Sequence, residues 1–199
     1  METIDIIMGT YNGEKYIREQ IDSILKNTWE HWRLWVCDDG STDKTKDIVK
    51  EYEERYPGKI FLKPNEQNKG AAINFLDAAR KVTGEYVMFC DQDDYWLPEK
   101  IEATHTCIKE AEEKYGSHIP ITVFTDARVV DENLNVLAES FHKSNQLDTS
   151  KLGLSHMLME NKMMGCTMML NRALLDKMDI FPKKVRMHSF MPILFAPKI

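Results

Sequence analysis

The sequence predicts one α/β domain built on a mostly parallel sheet, and three observations carry that prediction. Short apolar runs alternate with amphipathic stretches through the first hundred residues. The run over 86–90 is apolar throughout, as expected of a strand that helices cover on both faces. The stretches between them are long enough for crossover helices, which make neighbouring strands parallel with right-handed connections. At 199 residues, 43% hydrophobic and 29% charged, the chain can bury a sizeable core.

Residues 4–8 are the first strand, which Tyr11-Asn12-Gly13 breaks. From Glu14 onward Ile17, Ile21, Ile24 and Leu25 keep helical spacing. Residues 34–37 form a second strand, closed by Asp38-Asp39-Gly40-Ser41-Thr42. Ile48, Val49, Tyr52 and Tyr56 resume the helical period until Pro57-Gly58 stops it. Residues 60–62 are a third strand, a helix runs through Ile73, Leu76, Ala79 and Val82, and residues 86–90 are a fourth strand. Pro98 opens a helix through Ile101, Thr104, Ile108, Ala111 and Tyr115. The later chain predicts a strand over 121–130, a turn at Asp131-Glu132-Asn133, and a helix over 146–160. A strand over 167–170 and a short helix over 172–178 follow.

Composition excludes several function classes. A formal net charge of −6 with no Lys/Arg-rich block gives no electrostatic case for nucleic acid. No run of about 18 apolar residues predicts a membrane span, and Met1-Glu2-Thr3 is too acidic to open a secretory leader. Cys37, Cys90, Cys107 and Cys166 are scattered, without a Cys-x-x-Cys pair, so free thiols in a reducing cytoplasm are expected. The six histidines show no metal-ligand spacing. The methionines at 157, 159, 163, 164, 168 and 169 read as core packing. After Asp179 only basic charges follow (Lys183, Lys184, Arg186 and Lys198), a tail that could lean on an anionic membrane surface.

Three polar clusters sit where ligands gather on such sheets, at the carboxyl ends of the strands: Thr10-Tyr11-Asn12, Asp38-Asp39-Gly40-Ser41 and Asp91-Gln92-Asp93-Asp94. Three carboxylates in four residues repel one another unless a cation sits among them. Hard divalent ions such as Mg²⁺ or Mn²⁺ take oxygen ligands and share them with substrate phosphates. An EF-hand is ruled out, because its sixth position needs glycine where this chain has Trp96. An acidic turn before Pro98 is the plainer alternative. A carboxylate after the second strand could accept the N3–H of uracil or thymine, or the segment could simply be a capped turn. Asn65-Glu66-Gln67-Asn68-Lys69-Gly70 leads into a helix whose small first-turn residues, Ala71 and Ala72, would let backbone amides approach an anion.

Together these segments resemble the family 2 glycosyltransferases, which have the GT-A fold, a Rossmann-like α/β/α sandwich. The resemblance runs from about Ile4 to His188 and rests on Met8-Gly9-Thr10-Tyr11-Asn12-Gly13-Glu14, Cys37-Asp38-Asp39-Gly40-Ser41-Thr42-Asp43, Asn68-Lys69-Gly70 with Asn74, and Asp91-Gln92-Asp93-Asp94 with Trp96 and Pro98. It implies a single domain, with 1–98 as the nucleotide-sugar half, 99–188 as an incomplete acceptor-side half and 189–199 as a divergent tail. Thr10, Tyr11, Asn12, Glu14 and Asp39 would contact the nucleoside, and Lys69 and Gly70 would close over it. Asp91 would sit near the ribose and share with Asp93 the Mg²⁺ or Mn²⁺ that bridges the diphosphate, while Asp94 would face the donor sugar. Residues 165–172 resemble the acceptor-side stretch of bacterial rhamnosyltransferase-like members, which build cell-surface polysaccharides.

The implied reaction is one displacement with inversion, which needs a general base for the acceptor hydroxyl. In the rhamnosyltransferase-like relatives that base is an aspartate directly after a histidine. Here Ser189 follows His188, so the base is unassigned and the end reads as a truncation or frameshift. Three readings follow: a transferase using another base such as Asp126, a donor-binding chain that does not transfer, or a non-enzymatic interaction module. The expected partners are a UDP- or dTDP-linked donor and a saccharide or lipid-linked saccharide acceptor. The expected location is the cytoplasm or the inner face of the membrane, with homo-oligomers if apolar surface is left uncovered.

Overall fold

The computed structural model describes residues 2–179. The first half runs β1 (Ile4–Thr10), α1 (Ile17–Leu25), β2 (Trp32–Asp38), α2 (Thr45–Arg55), β3 (Ile60–Pro64), α3 (Ala71–Ala79) and β4 (Tyr86–Asp91). The second half runs α4 (Lys100–Tyr115), β5 (Thr122–Phe124), β6 (Val129–Val130), β7 (Val136–Ala138), α5 (Phe141–Ser144), α6 (Leu154–Met159), β8 (Met168–Asn171) and α7 (Arg172–Leu175). Six strands form one sheet in the order β3-β2-β1-β4-β8-β5, and β6 with β7 forms a separate hairpin. The pairings among β1, β2, β3 and β4 are parallel, and β8 is antiparallel to both its neighbours.

The period-two alternation of strand side chains sends Ile4, Ile6 and Met8 to one face and Ile7 to the other. The first face is covered by α1, α2 and α4 through Ile17, Ile21, Ile24, Ile48, Val49, Ile101 and Ile108. The second is covered by α3, α6 and α7 through Phe75, Leu76, Met157, Leu174 and Leu175. The expected three layers are therefore present. Most of the methionine-rich stretch is core, with Met157, Met163, Met168 and Met169 buried, though Met159 is exposed.

Two sequence expectations fail here. The single strand over 121–130 is two strands, because Asp126 turns the chain: its carboxylate accepts from the amides of Ala127 and His142 and from the Ser140 hydroxyl. The helix over 146–160 is confined to α6. Asp148 accepts from the amide and hydroxyl of Ser150, a local turn that competes with helix. The buried Lys162 ammonium donates to the carbonyls of Asp148 and Lys151, stabilising the irregular segment. His188, Ser189 and the rest of the tail lie outside the described residues. Among the described residues no helix is long and apolar enough to cross a membrane.

Candidate active site

The sheet brings the polar clusters together at one edge. Parallel register pairs Thr10 with Asp38 and Gly9 with Asp91, so the carboxyl ends of β1, β2 and β4 lie side by side. Strand order reverses at β1, whose neighbours β2 and β4 are reached by crossovers leading in opposite directions. Such a switch point opens a crevice at the strand ends. A cavity of about 300 Å³ lies there, lined by Gly9 and Thr10 at the end of β1 and Tyr11 after it, Asp39 after β2, Asn68, Gly70, Ala71 and Asn74 around the start of α3, and Asp91 at the end of β4 with Gln92 and Asp93 after it.

A polar network around Asp39 sets one side of this cavity. Asp39 Oδ1 accepts from the Lys69 amide at 2.9 Å and from Asn65 Nδ2 at 3.0 Å, while Oδ2 accepts from the Gly70 amide at 2.8 Å. Asn65 also donates to Asn74, whose own amide donates to the Cys37 carbonyl at 2.7 Å. Gly70 holds φ at +82°, a left-handed turn that glycine adopts without strain, and this aims the start of α3 at the cavity. A carboxylate offers about four acceptor positions. The loop contacts use three on Asp39, which leaves capacity for one ligand N–H.

The loops after β1 and β2 are clasped to each other. The Asn12 carboxamide oxygen accepts from the Thr42 amide at 2.9 Å, and the Asn12 amide donates to Ser41 Oγ. Glu14 accepts from the Lys44 amide, and the Gly13 amide donates to Thr45 Oγ1. Asn12 and Glu14, expected at the nucleoside, hold this clasp and do not line the cavity. Thr10, Tyr11, Asp39, Gly70, Asp91 and Asp93 do line it. The Lys69 ammonium turns to Asp77 at 3.1 Å, and only the Lys69 backbone joins the Asp39 network.

Gln92 has a role that its place among aspartates conceals. Its Oε1 accepts from Thr10 Oγ1 at 2.5 Å and from the Tyr11 amide at 3.0 Å, tying β4 to the loop after β1. A Cβ on Gly13 would lie 2.1 Å from that oxygen. Gly13→Ala is therefore expected to expel the Gln92 side chain, losing about 1–2 kcal/mol from two hydrogen bonds. Thermal melts beside Gln92→Ala check it: equal losses that do not add in the double variant are the expected pattern.

The acidic loop holds its charges under tension. Asp91 and Asp94 are half-buried and Asp93 is exposed. One oxygen of Asp94 is buried with no hydrogen-bond partner. Ligand atoms of Asp91, Asp94 and Cys166 lie within 4.8 Å of one another. Burial, then the charges of Asp94 and Asp93, push the Asp91 carboxyl up to about 6. Burial also raises Asp94, partly offset by the Cys166 thiol and the Lys100 charge. The thiol itself is pushed far up by burial and both carboxylates, so it keeps its proton and acts as a donor to Asp94. Clustered carboxylates with an unpartnered buried oxygen suit a hard divalent cation. A protonated thiol does not add a soft ligand. Neither Cys166 nor Lys100 is legible as part of this site from sequence spacing, since both arrive from other segments.

The family model described as Glycosyl transferase family 2 matches residues 5–175. The chain belongs to that family. It is 40% identical over 99 residues to the Escherichia coli protein named UDP-Glc:alpha-D-GlcNAc-diphosphoundecaprenol beta-1,3-glucosyltransferase WfgD, a match covering 50% of this chain and 38% of that one. It is 39% identical over 106 residues to the Shigella flexneri dTDP-rhamnosyl transferase RfbG, covering 51% of this chain and 36% of the relative. Among solved structures, S. aureus TarS 1-349 in complex with UDP-GlcNAc matches with a TM-score of 0.64 and 25% identity, covering 97% of this chain and 53% of that one. The chain thus spans about half or less of the length of these relatives.

This family 2 chain carries a second cavity, about 510 Å³, beside β5 and α5, lined by Phe124, Asp126, Ser140, His142 and Lys143 among others. Asp126 was one sequence candidate for the base. Burial raises its pKa, but hydrogen bonds from Ser140 and the amides of His142 and Ala127 outweigh that and hold it below the usual carboxylate range. Its carboxylate also faces His142 Nδ1 at 3.2 Å. A carboxylate so well satisfied is a weak base, far from the near-neutral pKa that general-base catalysis favours.

Proposed function

We propose that the chain is the donor-binding part of an inverting glycosyltransferase that takes a UDP- or dTDP-linked sugar and transfers it to a saccharide or lipid-linked saccharide in the building of cell-surface polysaccharide. The observation that carries this reading is the cavity at the switch point, with the Asp39 network at one side and the acidic loop at the other. Asp39 would accept the N3–H of the pyrimidine, beside the backbone amides at the start of α3. Asp91 and Asp93, with Asp94 beside them, would hold Mg²⁺ or Mn²⁺. When bound, the cation supplies positive charge that stabilises a diphosphate leaving group. The donors named for the E. coli, Shigella and S. aureus relatives all carry uracil or thymine, which supports the pyrimidine reading. The acceptor named for the E. coli protein is lipid-linked, which supports work at the inner membrane face.

Donor binding without transfer is the second reading. The weak basicity of Asp126 favours it, since Asp126 is the acceptor-side carboxylate proposed as the base among the described residues. Calorimetric titration with UDP and dTDP, with and without Mn²⁺, separates these readings when paired with a donor-turnover assay. Metal-dependent binding that Asp93→Ala abolishes is expected. Binding of neither nucleotide by the wild type would overturn both readings, and binding without turnover over any acceptor would select the second.

A further inference from the structure

Helix α1 carries polar residues where its packing calls for apolar ones. Gln20 and Ser23 lie along the face that buries Ile17, Ile21 and Ile24, Asn27 follows two residues after the helix ends, and all three are buried. Buried polar groups on a core-facing helix add little stability over apolar side chains of the same size, and they fix geometry. Each of these three addresses one segment, residues 90–101. Gln20 Nε2 donates to Cys90 Sγ at 2.9 Å, immediately before Asp91. Ser23 Oγ accepts from the Trp96 amide at 3.0 Å, two residues after Asp94, and donates to Gln20. Asn27 Oδ1 accepts from the Ile101 amide at 3.1 Å, capping the start of α4 from outside the helix. The neighbouring Thr28 amide donates to the Pro98 carbonyl at 2.8 Å.

The acidic loop is therefore pinned at both ends by one helix. Between the pins, Asp91, Asp93 and Asp94 repel each other, and a free loop would relax by spreading them apart. We propose that Gln20 and Ser23 are positioning residues for the acidic loop: by holding Cys90 and Trp96 they keep its carboxylates convergent, and so they set the affinity for the divalent cation and the nucleotide diphosphate. This inference rests on the donor-site reading above. Neither residue touches the cavity, so their effect is entirely through the loop.

The test uses Ser23→Ala, which leaves the Trp96 amide without its acceptor, and Gln20→Met, which keeps the volume and removes the Cys90 contact. Val49→Ala is the control, a core truncation in α2, two strands away from β4. Two quantities are read: amide hydrogen exchange over residues 91–97 in metal-free protein, and affinity for UDP with Mn²⁺. In both polar variants exchange should quicken and affinity fall by about tenfold or more, while Val49→Ala changes neither and Ser23→Thr restores both. Exchange and affinity both within about twofold of wild type in Ser23→Ala and Gln20→Met would overturn the proposal. Faster exchange with unchanged affinity would overturn it as well, since the loop would then not need its pins. A wild type that binds no UDP with Mn²⁺ would sink the donor-site reading instead, and the exchange data would still decide whether α1 holds the loop.

Discussion

Asp91→Asn is expected to stabilise the metal-free protein at pH 8 by about 2 kcal/mol and to weaken Mn²⁺-dependent UDP binding by roughly 100-fold. The gain follows from the carboxyl being raised from 3.8 to about 6 by burial and by Asp94 and Asp93. A carboxyl whose folded pKa lies above its unfolded value contributes stability that is fully present below the unfolded pKa and lost as pH rises through the folded one. Wild type should therefore lose this contribution between about pH 4 and pH 6, and asparagine, which never ionises, should not. Asparagine also brings an N–H₂ donor near the unpartnered Asp94 oxygen. The loss of binding follows because outer contacts to a metal already change affinity by about 10–100-fold, and a direct oxygen ligand matters at least as much. Denaturant titrations in chelator at pH 4 and pH 8 measure the first effect. A variant less stable than wild type at pH 8 would show that the acidic loop is not under electrostatic strain. Opposite signs for stability and binding are the signature of residues kept for function at a cost to the fold.

The largest purely structural effect is expected at Asp5. Its side chain is fully buried at the start of β1. It accepts from Arg33 through two nitrogens at 2.8 and 2.9 Å, from Trp35 Nε1 at 2.8 Å, and from the amides of Thr83 and Gly84 at 3.1 and 2.6 Å. Removing one partner of a buried charge pair leaves the other charge and its donors unsatisfied, which costs about 3–5 kcal/mol. Asp5→Ala should thus lower the melting temperature by roughly 10 °C. Asp5 and Thr10 are separated by about 16 Å of extended strand, so UDP affinity of the folded fraction should be unchanged. A melting temperature within about 2 °C of wild type would mean that the Arg33 pair is replaced by water and neighbouring groups.

The alternation of strands and helices, the parallel core of the sheet and the three clusters at its carboxyl edge are legible in the sequence, because each depends on local signals. The apolar run 86–90, the Pro57-Gly58 stop and the Gly70 turn each depend on residues within a few positions of one another. The acidic run and the repulsion within it are also local, since its charges are sequence neighbours. The family membership follows from the same short motifs.

The partners of polar side chains are a different matter. Asp39 meets Lys69 and Gly70 across 30 and 31 residues, Gln92 meets Thr10 across 82, and Asp5 meets Gly84 across 79. Asn12 and Glu14 were expected at the nucleoside, and the structure has them clasping the loop after β2. The helix expected over 146–160 shrank to α6 because Lys162 takes the carbonyls of Asp148 and Lys151. Cys166 and Lys100 join the acidic loop only through the packing of β8 and α4 against β4. Periodicity and turn chemistry reside in consecutive residues, so the sequence by itself determined the parallel strands, their crossovers and the edge where the polar clusters gather. Which buried donor meets which acceptor depends on how remote segments pack, and that only the tertiary structure decided.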